Sequence, residues 1–310
     1  MSYESEMLGK NKMPLRKEVE QALLLTLFNH NGVIKEFGAG EVIVDEIANQ
    51  FHLTEKQRNL NLETVYRKEN RLKKSNLWHR LLFRAADSLA KQKFISRPTK
   101  TVLLTNKKEW MLTERGYDKA LKLSNIPTYE KDYFSVKSFE VEKLVKKMKE
   151  KRKPDNYDPI NSSRTEIKKK TISKLRDRSF RQAIIETYDY KCAVCGLKIY
   201  SPKTFQWEVE AAHIVPYKYK CKDDIWNGLS LCRFHHWAFD VGWYGFNEEF
   251  KIITSSYLSE LPTSMGRVWD FDLIRTLFNN DLKIHFPIQK EFWPDINAIQ
   301  WHRENILQKI

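Results

Sequence analysis

Apolar positions in the first third of the chain recur at helical spacing. They predict a helix over Leu15–Asn29, which is followed by an Asn31-Gly32 turn signal. A second helix is predicted over Val42–Phe51, and Thr54 is placed to cap a further helical turn. The broadest apolar stripe lies in Ser75–Lys93. The N-terminal region is therefore predicted to be mainly helical.

Two short β-like runs follow these helices. They are Phe94–Arg97 and Glu109–Leu112, which are joined through Lys100–Lys108, and another element follows at Tyr117–Leu123. Three helices and a two-stranded ribbon are typical of a winged helix-turn-helix domain, whose third helix enters the major groove of DNA while the wing touches the backbone. Residues 1–125 are predicted to form this domain.

The stretch 71–116 has a basic helix, a short ribbon and a closing Leu112-Thr113-Glu114-Arg115-Gly116. It resembles the N-terminal winged-helix domain of Mrr-type restriction proteins. The basic side chains predicted to contact DNA are Arg71, Lys74, Arg80, Arg84 and Lys107. The alternative is a winged helix that binds protein and whose basic face is merely solvated.

The charge of the chain indicates what kind of partner it binds. The 310 residues carry a formal net charge of +14 and the pI is about 9.4. This surplus favours a polyanion, either nucleic acid or an anionic membrane. The sequence has no apolar run of about 18 residues, and Met1–Lys17 lacks the apolar core of a secretory signal. We therefore expect a cytoplasmic protein that binds double-stranded DNA and no membrane.

Positive charge is concentrated near the middle of the chain. Val141–Arg178 holds fourteen Lys and Arg against six Asp and Glu, and Pro154 and Pro159 interrupt it. Residues 126–173 are predicted to be a basic linker, partly helical and partly irregular. Such blocks of like charge usually stay solvated, although they also attract phosphate groups without regard to sequence.

All four cysteines fall within 192–232. Cys192 and Cys195 form a CxxC pair, and Cys232 and His235 form a CxxH pair. Two such pairs are typical of a tetrahedral Zn²⁺ site. The alternatives are buried reduced thiols or a redox-active CxxC. Cys221 is left over, either as a competitor of His235 for the fourth position or, as we favour, as an ordinary thiol.

The 36 residues between the two pairs predict a strand–loop–strand–helix unit. Apolar residues alternate over Phe205–Pro216, where His213 lies near the end of the strand, and a polar loop follows at Tyr217–Ile225. A short strand is predicted over Asn227–Cys232 and a helical turn over Arg233–Asp240. This order is the ββα-metal arrangement.

The segment closely resembles the HNH endonuclease family, and in particular the HNH domains of predicted restriction endonucleases. The resemblance is carried by Glu210-Ala-Ala-His213-Ile, Asn227-Gly-Leu-Ser-Leu-Cys232 and His236-Trp-Ala-Phe-Asp240-Val-Gly242. It extends back to Arg178-Ser-Phe-Arg181 and forward to Trp301-His-Arg-Glu-Asn305. Residues 174–310 are therefore predicted to be the nuclease domain.

The resemblance implies a role for each motif residue. His213 is the general base, because imidazole accepts a proton near neutral pH. Asn227 holds His213 in its orientation, or is an ordinary turn residue. His236 binds a catalytic divalent cation, Mg²⁺ or another, which stabilises charge on the phosphate. The zinc is structural, and the products are 3′-hydroxyl and 5′-phosphate ends. Arg178 and Arg181 contact phosphate or pair with Glu186.

One position departs from the family pattern. Many HNH sites carry Asp or His just before the base, as a second metal ligand, whereas this chain has Ala212. Asp240 is the first substitute, because residues four apart share a helix face with His236. Glu210 is the next, although strand alternation points it away from His213. The alternatives are that Asp240 forms a cap or salt bridge and that Glu210 lies on the surface.

Together these features predict an α+β protein that combines a winged-helix domain with a zinc-containing HNH domain. The expected function is a metal-dependent DNA endonuclease of restriction type, and its dependence on modified bases stays open. Because one HNH site cuts one strand, a homodimer is expected for double-strand cleavage. The rival interpretations are a nicking, repair or homing nuclease, an RNA-directed nuclease, and a non-catalytic DNA-binding regulator held together by zinc.

Overall fold

The computed structural model describes residues 3–37, 41–66, 71–160, 170–201, 206–256 and 282–307. Two compact units divide the chain, Met1–Glu142 and Lys143–Ile310. Each unit mixes helices with antiparallel strands, which confirms the α+β fold class. Within these described ranges, no helix is both long enough and apolar enough to cross a membrane.

The first unit is mainly helical, as its apolar pattern predicts. Its helices are α1 (Tyr3–Lys10), α2 (Arg16–Asn29), α3 (Val42–Gln50), α4 (Glu55–Arg58), α5 (Leu77–Lys91), α6 (Pro98–Thr105) and α7 (Glu114–Leu123). Its strands are β1 (Val33–Lys35), β2 (Asn61–Tyr66), β3 (Arg71–Asn76), β4 (Ile95–Ser96) and β5 (Glu109–Leu112). Helix α8 (Phe139–Lys149) runs across the boundary between the units.

The core of the first unit lies between its longer helices and a small sheet. The sheet has the order β1–β5–β4, and all its pairs are antiparallel. Helices α2, α3, α5 and α7 bury Leu23, Ile47, Trp78 and Tyr117 completely or almost so. Asn76 caps α5 by accepting a hydrogen bond from the backbone N–H of His79 at 3.0 Å. The apolar stripe predicted over Ser75–Lys93 is thus confirmed as a buried helix.

Two features of this unit differ from the prediction. Helix α6 connects β4 to β5, where the prediction has an irregular wing, because Pro98 starts a helix well and Asn106 ends it in the left-handed conformation. A hairpin of β2 and β3 also precedes α5. The apolar pattern missed this hairpin. Among the hairpin residues whose burial is described, Leu62 alone is buried, so no alternation of apolar and polar positions indicated two strands.

The second unit contains the predicted ββα arrangement. Its elements are α9 (Lys170–Thr187), β6 (Val209–His213), β7 (Gly228–Cys232), α10 (Arg233–Asp240), β8 (Tyr244–Phe246), β9 (Ile252–Thr254) and α11 (Ile296–His302). Strands β6 and β7 form an antiparallel hairpin in which His213 lies opposite Gly228. A Cβ atom on Gly228 would lie 2.3 Å from Ile184 Cδ1, so glycine permits α9 to pack directly on the hairpin.

Part of the predicted basic linker is ordered against the second unit. The arm, residues 151–160, pairs Ile160 with Cys221 in a β-bridge. Lys151 Nζ lies 2.5 Å from Asp224 Oδ1, and Lys153 Nζ lies 2.7 Å from Asp295 Oδ2. Both carboxylates are buried. These lysines therefore neutralise buried charges, whereas the linker prediction has them solvated.

Candidate functional site

The two Cys/His pairs converge on one point. Cys192 and Cys195 lie in the turn that follows α9, Cys232 ends β7, and His235 lies in the first turn of α10. One donor atom from each of the four residues lies within 4.8 Å of the others. His235 Nδ1 is 3.1 Å from Cys232 Sγ and 3.6 Å from Cys192 Sγ. The strand–helix junction and the turn thus bring the predicted ligands together.

The chemistry of this cluster fits a zinc ion. Three of the residues are buried, and the four offer three soft thiols and one imidazole, the donor set of structural zinc sites. Hydrogen bonds from Cys195 and Cys232 lower the pKa of Cys192, while the hydrogen bond with Cys192 raises the pKa of Cys232. Burial opposes charge on His235, but its thiol neighbours raise its pKa to about 9. Crowded donors that compete for protons in this way are suited to share a cation.

A second group of polar side chains lines an open cleft of about 460 Å³ beside the cluster. The cleft is lined by Asp177, Phe180, Arg181, Glu210, Ala211, His213, Tyr217 and His236. The imidazole of His213 stacks on Phe180 with ring centroids 4.0 Å apart. Strand β6, α9 and α10 therefore bring the predicted base, the predicted metal ligand and one predicted phosphate contact to the same cleft.

His236 lies between two carboxylates. Its Nδ1 is 3.0 Å from Glu210 Oε2, and its Nε2 is 3.5 Å from Asp240 Oδ2. Burial disfavours the charged imidazole, but the hydrogen bond with Glu210 prevails and raises the pKa of His236. The same bond lowers the pKa of Glu210, whereas burial raises that of Asp240. An imidazole with carboxylates suits several divalent cations, and His236 with Glu210 or Asp240 would hold one.

Glu210 was expected to point away from His213. Glu210 and His213 nevertheless both line the cleft. The cleft takes in residues from both faces of β6, because Glu210 lines it together with its immediate neighbour Ala211. Ala212 is completely buried and offers no ligand.

Asn227 is completely buried and holds the chain on both sides of the loop that follows His213. Its Oδ1 accepts a hydrogen bond from Val215 N–H at 2.9 Å, and its Nδ2 donates to Lys222 O at 3.1 Å. The backbone N–H of Ile214 donates to Asn227 O at 3.0 Å. Asn227 therefore does not touch the imidazole of His213, but fixes the residues next to it.

The sequence interpretation missed a carboxylate that faces His213 and the arginine that pairs with it. Asp223 lies in the polar loop, and its Oδ1 is 3.1 Å from His213 Nε2. Arg176 on α9 donates to the other oxygen of Asp223. The Asp223-Asp224 pair was the available signal, but a loop carboxylate carries no pattern that names its partner. Arg178 lies on the same helix as the cleft-lining Arg181.

In the first unit, the basic residues predicted to contact DNA lie on α5, on β3 and in the connection before β5. Arg80 and Arg84 on α5 both contact the buried Glu4, at 2.7 and 2.8 Å. Lys74 on β3 pairs with Glu63 at 3.0 Å, and Lys107 is exposed before β5. Arg71 also lies on β3, and its side chain is outside the described part of the chain. Their contact with DNA stays a prediction.

Comparison with known proteins finds a family match for the region that contains the Cys/His cluster and most of the cleft residues. Residues 192–247 match a family model described as HNH endonuclease. This HNH segment contains the Cys/His cluster and both cleft histidines. No curated protein matches the chain. A solved structure titled "Modification dependent TagI restriction endonuclease" is similar at 20% identity and a TM-score of 0.29; the match covers 41% of this chain and 37% of that chain.

Proposed function

We propose that the protein is a metal-dependent endonuclease that hydrolyses phosphodiester bonds of double-stranded DNA. The observation that carries this proposal is that His213, His236 and Glu210 line one open cleft, and all three belong to the HNH segment. Asp240 also contacts His236. The cleft is open to solvent. A general base and a cation-binding group are what phosphodiester hydrolysis needs.

Each residue has a defined task in this proposal. His213 accepts the proton of the attacking water, and Arg181 contacts a phosphate oxygen. His236, with Glu210 or Asp240, holds the divalent cation, which stabilises negative charge on the phosphate and the leaving oxygen when it is bound. Asn227 holds the residues that flank His213. The Cys/His cluster holds zinc and fixes the turn, β7 and α10 relative to one another.

The first unit is proposed to bind DNA as a winged-helix domain. The order α2, β1, α3, α5, β4, β5, into which α4, the β2–β3 hairpin and α6 are inserted, and the sheet order β1–β5–β4 support this assignment. Helix α6 takes the place of the irregular wing. A restriction-type activity, sensitivity to base modification and a cytoplasmic homodimer that cuts both strands belong to the same proposal.

The proposal is tested by plasmid cleavage with wild type and His213→Ala. Methylated and unmethylated plasmids are incubated with Mg²⁺ or Mn²⁺, and DNA binding is measured on the same substrates. Wild type is expected to cut, whereas the variant binds but does not cut. His30→Ala is the matched control, because His30 is exposed in the first unit and contacts Glu46. Sedimentation on cleavable duplex tests the homodimer, and competition with RNA tests the nucleic acid.

A second function is favoured by one observation. The position before His213 holds a completely buried alanine, so a common metal-ligand position of HNH sites is lost. A DNA-binding regulator whose zinc is purely structural would show tight binding and no cleavage with any divalent cation. The same assay separates the two functions.

A further inference from the structure

Asp223 connects the proposed base to a cation on α9. Its side chain is 3% exposed and lies in the loop between the two strands of the HNH hairpin. One carboxylate oxygen faces His213 Nε2 at 3.1 Å, and the other accepts from Arg176. A buried carboxylate between an imidazole and a guanidinium has both of its oxygens engaged by donors.

This contact determines which ring nitrogen of His213 carries the proton. An ionised carboxylate only accepts hydrogen bonds, so Nε2 must be the donor. In the neutral imidazole, Nδ1 then holds the lone pair. Stacking on Phe180 with an interplanar angle of 5° fixes the plane of the ring, and the contact with Asp223 selects the edge that carries Nε2. Nδ1 is thereby left as the proton-accepting atom.

We propose that Asp223 is a positioning residue that holds His213 in the Nε2–H tautomer and leaves Nδ1 to accept the proton from water. The inference rests on the proposed function of His213 and names the residue that makes this base competent. Partners of this kind, which hydrogen-bond the far nitrogen of a functional histidine, fix its tautomer and orientation. Arg176 supplies the positive charge that stabilises the buried carboxylate.

The loop that carries Asp223 is held from two sides. Asn227 Nδ2 donates to Lys222 O at 3.1 Å, and Lys222 N–H donates to Pro159 O at 2.8 Å. The first contact comes from the residue just before β7, and the second comes from the arm. Asn227 therefore holds the chain next to both His213 and Asp223, because it also hydrogen-bonds the residues that follow His213.

A metal ion is the competing explanation for this group. Donor atoms of His213, Cys221 and Asp223 lie within 4.8 Å of one another. However, Arg176 already places a positive charge on Asp223, and a second cation beside it would be repelled. The geometry therefore favours a hydrogen-bonded carboxylate over a metal ligand.

The test is the ¹⁵N spectrum of histidine-labelled, full-length, zinc-loaded protein, with His213 assigned by its loss in His213→Ala. The neutral wild-type imidazole is expected to show a protonated Nε2 and an unprotonated Nδ1. In Asp223→Ala, both neutral tautomers of His213 are expected to be populated. The cleavage rate constant falls by about 100-fold, while KM for DNA changes less than about twofold. Asp223→Asn keeps the shape, and its turnover is expected between the two.

The control is Asp189→Asn, an exposed ion-pair partner of Lys191 and Lys198 in the same unit, which is expected to leave both readouts unchanged. A wild-type His213 protonated at Nδ1, or an unchanged tautomer in Asp223→Ala, overturns the proposal. So does a second bound zinc that is lost in Cys221→Ser. Because the tautomer is read without DNA, a wild type that never cuts refutes the nuclease proposal and leaves this result standing.

Discussion

The HNH segment holds two groups of side chains that are proposed to bind metal ions and that differ in their access to solvent. The Cys/His cluster has four donors within 4.8 Å, and three of its residues are buried. The cleft around His236 is open, and Asp240 is half-exposed. A metal ion with four protein ligands has no coordination position left for substrate, whereas a metal ion in an open site keeps one. Helix α10 contributes neighbouring residues to both, His235 to the closed cluster and His236 to the open cleft.

The largest effect is expected from breaking the closed cluster. Cys232→Ser removes one of the four proposed zinc ligands and is expected to abolish stoichiometric zinc binding. It should lower the melting temperature of the second unit by about 10 °C or more, since structural zinc contributes several kcal/mol of folding free energy. Zinc analysis and thermal unfolding measure the two effects.

The matched control is Cys221→Ser, which changes a buried cysteine outside the cluster. It is expected to keep the zinc. If Cys221→Ser loses the ion and Cys232→Ser keeps it, the four ligands have been assigned wrongly.

The next effect belongs to the open cleft. His213→Ala is expected to reduce the cleavage rate by about 10³-fold, the typical contribution of a general base. The zinc content should stay unchanged and the melting temperature should fall by no more than about 3 °C, because the half-buried ring contributes little to the core. Single-turnover cleavage and calorimetry separate chemistry from folding. A variant that loses its zinc would show that the two regions are not independent.

A smaller effect distinguishes the two carboxylates at His236. Glu210→Gln is expected to raise the Mg²⁺ concentration for half-maximal cleavage by about 10- to 100-fold. Asp240→Asn should raise it by less than about 10-fold, because Asp240 is more exposed and lies farther from His236. Metal titrations of cleavage measure both. A larger effect of Asp240→Asn would favour the helix-face ligand that the sequence pattern prefers.

What could be predicted from the sequence depends on how local the contacts are. The two ligands of each Cys/His pair are only three residues apart in the chain. Their spacing alone therefore indicated the cluster and the ββα unit. The contacts of Asp223 with Arg176, and of Glu4 with Arg80, join residues far apart in the chain. Charge patterns do not reveal such partners, because tertiary packing decides which cation meets which carboxylate.

The two basic regions show the same limit. The basic linker was expected to stay solvated and the basic residues of α5 were expected to contact DNA, yet Lys151, Lys153, Arg80 and Arg84 all contact buried carboxylates. The net charge determines the electrostatic potential at a distance from the protein. It does not tell which basic side chains remain available to bind phosphate. Substituting these residues is therefore expected to affect stability as well as DNA binding.

The smallest effect tests whether both regions depend on the packing of α10. His302 on α11 stacks on Phe239 with ring centroids 3.6 Å apart, and its Nε2 is 3.1 Å from Phe239 O. Burial lowers the pKa of His302 to about 4. Below about pH 6.5, His302 therefore binds a proton in the unfolded chain but stays neutral in the folded chain until the pH approaches 4. Stability is fully present above pH 6.5 and decreases as the pH falls toward 4.

Between pH 7 and pH 5.5 this linkage is expected to cost the second unit about 1 kcal/mol of unfolding free energy. His302→Gln keeps a neutral donor for Phe239 O but cannot be protonated, so its stability should depend less on pH over that range. Denaturant unfolding of zinc-loaded protein measures the difference, and His30→Gln is the exposed control. Equal pH dependence in wild type and His302→Gln would show that His302 is not the group that links protonation to the packing of α10. A smaller dependence in the variant would show that the protonation of His302 links pH to the packing of α10, the helix that carries both His235 and His236.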